Sequence, residues 1–104
     1  MDGKLNYPDK VFLMVQKSNC PFCSLMKPIF EEIVREYTGL IGLSFGFYNV
    51  DDDDWKLADE MELDGVPAFA VIDKESGKVY EINNDGLVPK ETLVSMIFAN
   101  LSLS

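Results

Sequence analysis

Histidine is absent from the sequence, and cysteine occurs only twice. A closed tetrahedral zinc site draws four ligands from thiolates and imidazoles, so one copy of the chain cannot assemble it. Cations are scarce as well: nine Lys and Arg stand against 18 Asp and Glu, a formal charge of −9. Phosphate backbones and anionic bilayers need a cationic face, so neither nucleic acid nor membrane is an expected partner. The acidity itself reads either as general solubility or as a surface suited to a basic or neutral protein. Long apolar runs are missing too. The longest early one, Val11 to Val15, has five residues with Lys4 and Asp9 upstream. That is too short for a secretory leader or a membrane span. A reducing cytoplasm is the expected setting, and there two closely spaced cysteines are redox-active or metal-binding rather than a structural staple.

What is present suffices for one core. The chain has 104 residues, 47% of them hydrophobic, so it needs neither metal nor disulfide to bury a single interior. No repeat, linker or low-complexity stretch divides it, and residues 1–104 are read as one domain.

Val11-Phe12-Leu13-Met14-Val15 is continuously apolar, the pattern of a strand covered on both faces and central in its sheet. Beyond Leu25, residues Met26, Ile29, Phe30, Ile33, Val34 and Tyr37 form one helical stripe, with Glu31, Glu32, Arg35 and Glu36 opposite. Thr38-Gly39 ends that helix, and Pro28 within it predicts a kink. Ser44 to Val50 reads as a second strand, parallel to the first because a helix separates them.

The run Asp51 to Asp54 precedes Trp55, Ala58 and Met61 and is expected to cap a short helix at its positive end, ending at Leu63-Asp64-Gly65. A divalent-cation site is the sharper alternative for those carboxylates. Val66-Pro67 then introduces Ala68 to Ile72, which turns through Asp73 to Gly77 into Val79 to Ile82. Past the turn from Asn83 to Gly86, Pro89 suits the first turn of a last helix that buries Leu93, Val94, Ile97, Phe98 and Leu101.

Chemistry concentrates at Cys20-Pro21-Phe22-Cys23, directly after a strand and at the start of a helix. Unpaired backbone N–H groups and the helix dipole stabilise a thiolate there, and the first cysteine is best placed to receive them. Cys20 is thus the expected nucleophile on a substrate disulfide, and Cys23, one turn on, the thiol that releases the product. The plainer alternative is two small buried hydrophobes that happen to lie three apart.

With these residues in view the chain resembles the thioredoxin superfamily. The resemblance rests on Cys20 to Cys23 after the first core strand, on Pro28-Ile29-Phe30-Glu31-Glu32, on Asn49-Val50-Asp51 closing a strand, and on Gly65-Val66-Pro67. It runs from about Val11 to Phe98. It implies an α/β thioredoxin-like fold, a four-stranded mixed sheet flanked by three helices with the pair at the carboxyl end of the first core strand. It also implies a cis Pro67 beside the pair and a substrate peptide lying against Val66, Pro67, Pro21 and Phe22.

Two departures bear on activity. Thioredoxins carry a buried aspartate six residues before the first cysteine, where this chain has Met14, and Gly-Pro between the thiols, where it has Pro21-Phe22. Proline followed by an aromatic is similar to glutaredoxins, although the Gly-Gly turn that helps them hold glutathione is replaced by Asn84-Asp85-Gly86. Lys17 and Lys27 flank the motif, either lowering a thiolate pKa or simply solvated.

The expectation is a monomeric thiol-disulfide oxidoreductase with no cofactor beyond its own disulfide, acting on protein disulfides. Its electron donor is a thioredoxin reductase or glutathione. The alternatives are glutathione-linked reduction, a thioredoxin-fold adaptor, and a two-chain iron-sulfur module using Cys20 and glutathione.

Overall fold

The computed structural model describes residues 10–39, 43–63, 65–73 and 75–101, the side chain of Leu101 excepted. Lys4, Asp9, Asp64 and the side chain of Leu101, all invoked above, lie outside the described residues. Along the chain come β1 (Lys10–Gln16), α1 (Pro21–Tyr37), β2 (Leu43–Asn49), a 3-10 turn (Val50–Asp52), α2 (Lys56–Glu60), β3 (Ala68–Asp73), β4 (Val79–Asn83) and α3 (Lys90–Leu101). The strands align in the order β2-β1-β3-β4. The pair β1 and β2 is parallel, while β3 runs antiparallel to both β1 and β4. This is the expected α/β arrangement, a four-stranded mixed sheet with three helices.

The continuous apolar run of β1 is explained by what covers it. Phe12 and Met14 point to one face and join Met26, Phe30 and Ile33 of α1 with Leu93, Met96 and Ile97 of α3. Leu13 and Val15 point to the other, where they meet Val50, Ala58, Met61 and Leu63 around α2, with the half-buried Trp55 packed against that group. A strand buried on both faces cannot alternate polar and apolar residues. At the centre of the first layer Phe12 stacks on Phe30 and Phe69 with ring centroids 5.7 and 6.2 Å apart, and Phe45 meets Phe30 edge-on at 6.1 Å. Offset and edge-to-face rings of this kind add to their simple burial.

The two long helices lie on the same face and are joined at their surface by Lys90, whose ammonium bridges Glu32 at 2.6 Å and Glu36 at 2.9 Å. Pro28 lies inside α1 without ending it. The buried stripe of α3 differs from the sequence expectation. Leu93, Met96, Ile97 and Asn100 are buried, whereas Phe98 is 47% exposed and rests edge-on against Tyr37. The cause is polar. Asn100 Nδ2 donates to Glu81 Oε1 and to the Met96 carbonyl, and the buried Lys10 ammonium donates to the Asn100 carbonyl. A cation at the last carbonyls of a helix is favourable, and these bonds rotate α3 so that Asn100 faces inward.

The acidic run is divided rather than acting as one cap. Asp53 accepts from Leu57 N at 3.0 Å and from the Tyr48 hydroxyl at 2.5 Å, while Asp51 turns toward Ser18. The hairpin between β3 and β4 is closed by Asp73, which accepts from the N–H groups of Glu75 and Ser76. Gly77 supplies the left-handed backbone, at φ 76, that closes this turn.

Truncating Phe30→Ala should destabilise the protein by about 3–5 kcal/mol, read as a lower urea midpoint at unchanged m-value. Acid should also weaken the fold in a defined window. The Tyr48 hydroxyl lowers the pKa of Asp53, the Ser76 and Glu75 amides lower that of Asp73, and the Lys90 ammonium lowers that of Glu32. Each depressed carboxyl binds its proton less readily in the folded chain. Its contribution is therefore present above the ordinary carboxyl pKa of about 4 and lost as pH falls through the lower folded value. Thermal unfolding should show a melting temperature that is level near pH 6 and drops below about pH 4. In Asp73→Asn that drop should be shallower.

Candidate active site

At the carboxyl end of β1 the chain leaves the sheet after Gln16 and enters α1 through Lys17, Ser18 and Asn19. Asn19 adopts the left-handed conformation at φ 59, which asparagine tolerates better than most side chains. That reversal delivers Cys20 in extended geometry at the N-cap of α1. Pro21 follows as the first helical residue, where an N–H would have no intrahelical acceptor.

Cys20 and Cys23 are joined by a disulfide, with Cα atoms 5.2 Å apart. The Cys23 amide donates to Cys20 Sγ at 3.1 Å, a sulfur cap in place of the usual oxygen. A backbone N–H aimed at a sulfur in this way is the arrangement that favours a negative charge there. Both sulfurs are largely buried, but differently. Cys20 lines a groove of about 300 Å³ with Lys17, Asn19, Pro21, Phe22 and Val66. Both cysteines border the apolar cluster beneath, with Met14, Met26 and Phe30, and Cys23 is the more deeply buried of the two. Met14 is fully buried there, so the position where a carboxylate is expected in thioredoxins is filled by a thioether.

The bond between Val66 and Pro67 is cis. Val66 forms one wall of the cysteine groove, and Pro67 is buried beside it, lining a second hollow of about 250 Å³ with Gly65, Val66, Asn84 and Gly86. Of the residues singled out from sequence, Cys20, Pro21, Phe22 and Val66 thus share one groove. Pro67 lies next door and Cys23 underneath. Phe22 is 52% exposed, so its ring forms the outer lip. Lys17 stands in the groove wall, whereas Lys27 places its ammonium over the Phe47 ring at 5.8 Å. The turn at Asn83 is pinned by its own side chain accepting from Asp85 N, and Gly86 takes φ 81.

Two features were not anticipated. Leu25 and Leu87, about half exposed, line a further apolar hollow with Ile29, Val88 and Pro89. Its only sequence signal is a leucine off the buried stripe of α1. The other feature is Asp51, whose carboxylate accepts from Ser18 N at 3.0 Å although the two are 33 residues apart. The signal for it was Asn49 two residues ahead of an aspartate, directly after a strand parallel to β1.

The family model of the thioredoxin-like domain matches residues 6–99. No curated protein matches the chain in sequence. In structure 262 solved chains match, so the architecture is widely shared and does not by itself choose an activity. One of them, a mutant thioredoxin from Halobacterium salinarum NRC-1, is 21% identical with a TM-score of 0.74, covering 93% of this chain and 79% of that one. A match over nearly the whole length, with a cysteine pair at disulfide distance where β1 meets α1, has one conclusion: the chain belongs to the thioredoxin-like domain family, within the thioredoxin superfamily.

Proposed function

We propose that the protein is a thiol-disulfide oxidoreductase that reduces protein disulfides through Cys20 and Cys23. The observation that carries this reading is the capped sulfur. Cys20 Sγ receives the Cys23 N–H at the start of α1 and opens onto a groove walled by Val66, while Cys23 waits within bonding reach behind it.

In the reduced protein the Cys20 thiolate attacks one sulfur of a substrate disulfide. A Cys20–substrate bond forms, the substrate S–S bond breaks, and the departing thiolate takes a proton. Cys23 then loses its proton and attacks Cys20 Sγ. The mixed disulfide breaks, the second substrate thiolate leaves, and the Cys20–Cys23 disulfide closes. Two electrons have passed to the substrate, and two must return from a donor. Val66, beside the cis bond, lines the groove with Cys20, and backbone pairing of an extended peptide with it would align the substrate disulfide with Cys20. Such chemistry fits a reducing compartment in which a reductase or glutathione restores the dithiol.

One observation favours a second reading, glutathione-linked reduction. The hollow lined by Gly65, Val66, Pro67, Asn84 and Gly86 adjoins the cysteine groove, shares Val66 with it and has about 250 Å³ for a small peptide. Protein and glutathione substrates would meet the same Cys20.

Cys20→Ser should abolish reduction of a disulfide-bonded protein, and Cys23→Ser should accumulate a covalent mixed disulfide visible by mass spectrometry. Full activity in Cys20→Ser would overturn the mechanism. The donor assay separates the two readings. Turnover of a protein disulfide with thioredoxin reductase and NADPH is expected, with slower turnover of a glutathione mixed disulfide by glutathione. The reverse order would establish the second reading, and failure with both donors would reject both.

A further inference from the structure

Strands β1 and β2 are parallel and end in register, Gln16 opposite Asn49, so the segments that follow them leave the same edge of the sheet side by side. The first is the loop Lys17–Asn19 leading to Cys20. The second is the 3-10 turn, held from below by the fully buried Val50. Asn49 fixes this turn, its side chain accepting from Asp51 N at 2.8 Å. That leaves the Asp51 carboxylate facing the neighbouring loop, where Oδ2 accepts from Ser18 N at 3.0 Å. Two residues later the chain must pass through the left-handed Asn19 and place Cys20 Sγ on the Cys23 amide.

We infer that Asp51 is a positioning residue for Cys20, holding the Ser18 amide so that the loop presents the sulfur to the N-terminus of α1. The inference rests on Cys20 being the attacking thiol. The bond is exposed to solvent, which screens the extra strength that a charged acceptor brings, so what it contributes is geometry, anchored on a turn that is itself pinned. Released from it, Ser18 and Asn19 regain backbone freedom, and Cys20 samples positions away from the cap.

The charge and the geometry of Asp51 act in opposite directions on Cys20. A nearby carboxylate disfavours a thiolate, whereas a fixed loop favours it by keeping the Cys23 N–H on the sulfur. Removing the charge alone should therefore lower the Cys20 pKa or leave it in place, and losing the loop should raise it. Lys17, the charged residue that lines the groove with Cys20, is unchanged in every variant below.

The experiment follows iodoacetamide alkylation of the reduced protein against pH, read at Cys20 by peptide mass, in wild type, Asp51→Asn and Asp51→Ala. The asparagine keeps an acceptor oxygen without the charge, and the alanine keeps neither. Asp51→Ala should raise the midpoint of the Cys20 profile by about one pH unit, slowing alkylation at pH values below both midpoints about tenfold. Asp51→Asn should stay within about twofold of wild type. A midpoint that is unchanged or lowered in Asp51→Ala, or an Asp51→Asn that behaves as the alanine does, would overturn the inference.

Should the alanine variant fail to fold, the wild type decides. In NMR the Ser18 amide proton shift should follow the titration of the Asp51 carboxyl carbon, and a Ser18 amide indifferent to it would refute the contact. The readout is thiol titration rather than turnover. A negative result here with Cys20 still catalytic removes Asp51 alone, and a negative Cys20→Ser result leaves these measurements interpretable.

Discussion

Burial of β1 on both faces is the constraint from which the remaining architecture follows. A strand with Phe12 and Met14 on one side and Leu13 and Val15 on the other must be sandwiched. Helices α1 and α3 cover the first side, and α2 with the 3-10 turn covers the second. Because β1 is central, its carboxyl end opens in the middle of the sheet edge, between the ends of β2 and the start of β3. The cysteine loop therefore has neighbours on two sides, Asp51 from the β2 side and Val66 from the β3 side. Had β1 been an edge strand, one of those flanks would have been solvent.

The asymmetry between the two sulfurs comes from the same geometry. Cys20 stands at the mouth of the groove with a backbone donor on its sulfur, and Cys23, one turn into α1, faces the phenylalanine cluster. An N–H pointed at a sulfur favours negative charge, and an apolar surround disfavours it. Position in the helix thus gives the two sulfurs unequal surroundings, the first accepting a backbone N–H and lining the groove.

Much of this was legible in the sequence wherever a pattern was local. The apolar run of β1, the helical stripe from Met26 to Tyr37, the hairpin around Gly77 and the cysteine pair at a strand-to-helix junction each declare themselves within a few residues. The features that escaped are those set by distant partners. Phe98 fits an apolar face by spacing, yet it stands exposed because Lys10, 90 residues away, and Glu81 engage Asn100 and turn α3. Lys10 itself is almost wholly buried, which nothing in its neighbours along the chain announces. Asp51 belongs to a run that suggests helix capping, and only the parallel register of β1 and β2 brings it to Ser18. Periodicity carries burial and local turns, whereas hydrogen bonds across the sheet edge depend on which strands are neighbours.

Trp55, the single tryptophan, sits at φ 67 just ahead of α2 and packs with Leu13, Val15 and Met61, on the opposite face of the sheet from the cysteines. Disulfides and thiols quench indole emission at contact, so a tryptophan next to a redox pair reports oxidation and unfolding together. Trp55 packs instead against the cluster on the other face, and its emission is an optical probe of the α2 layer.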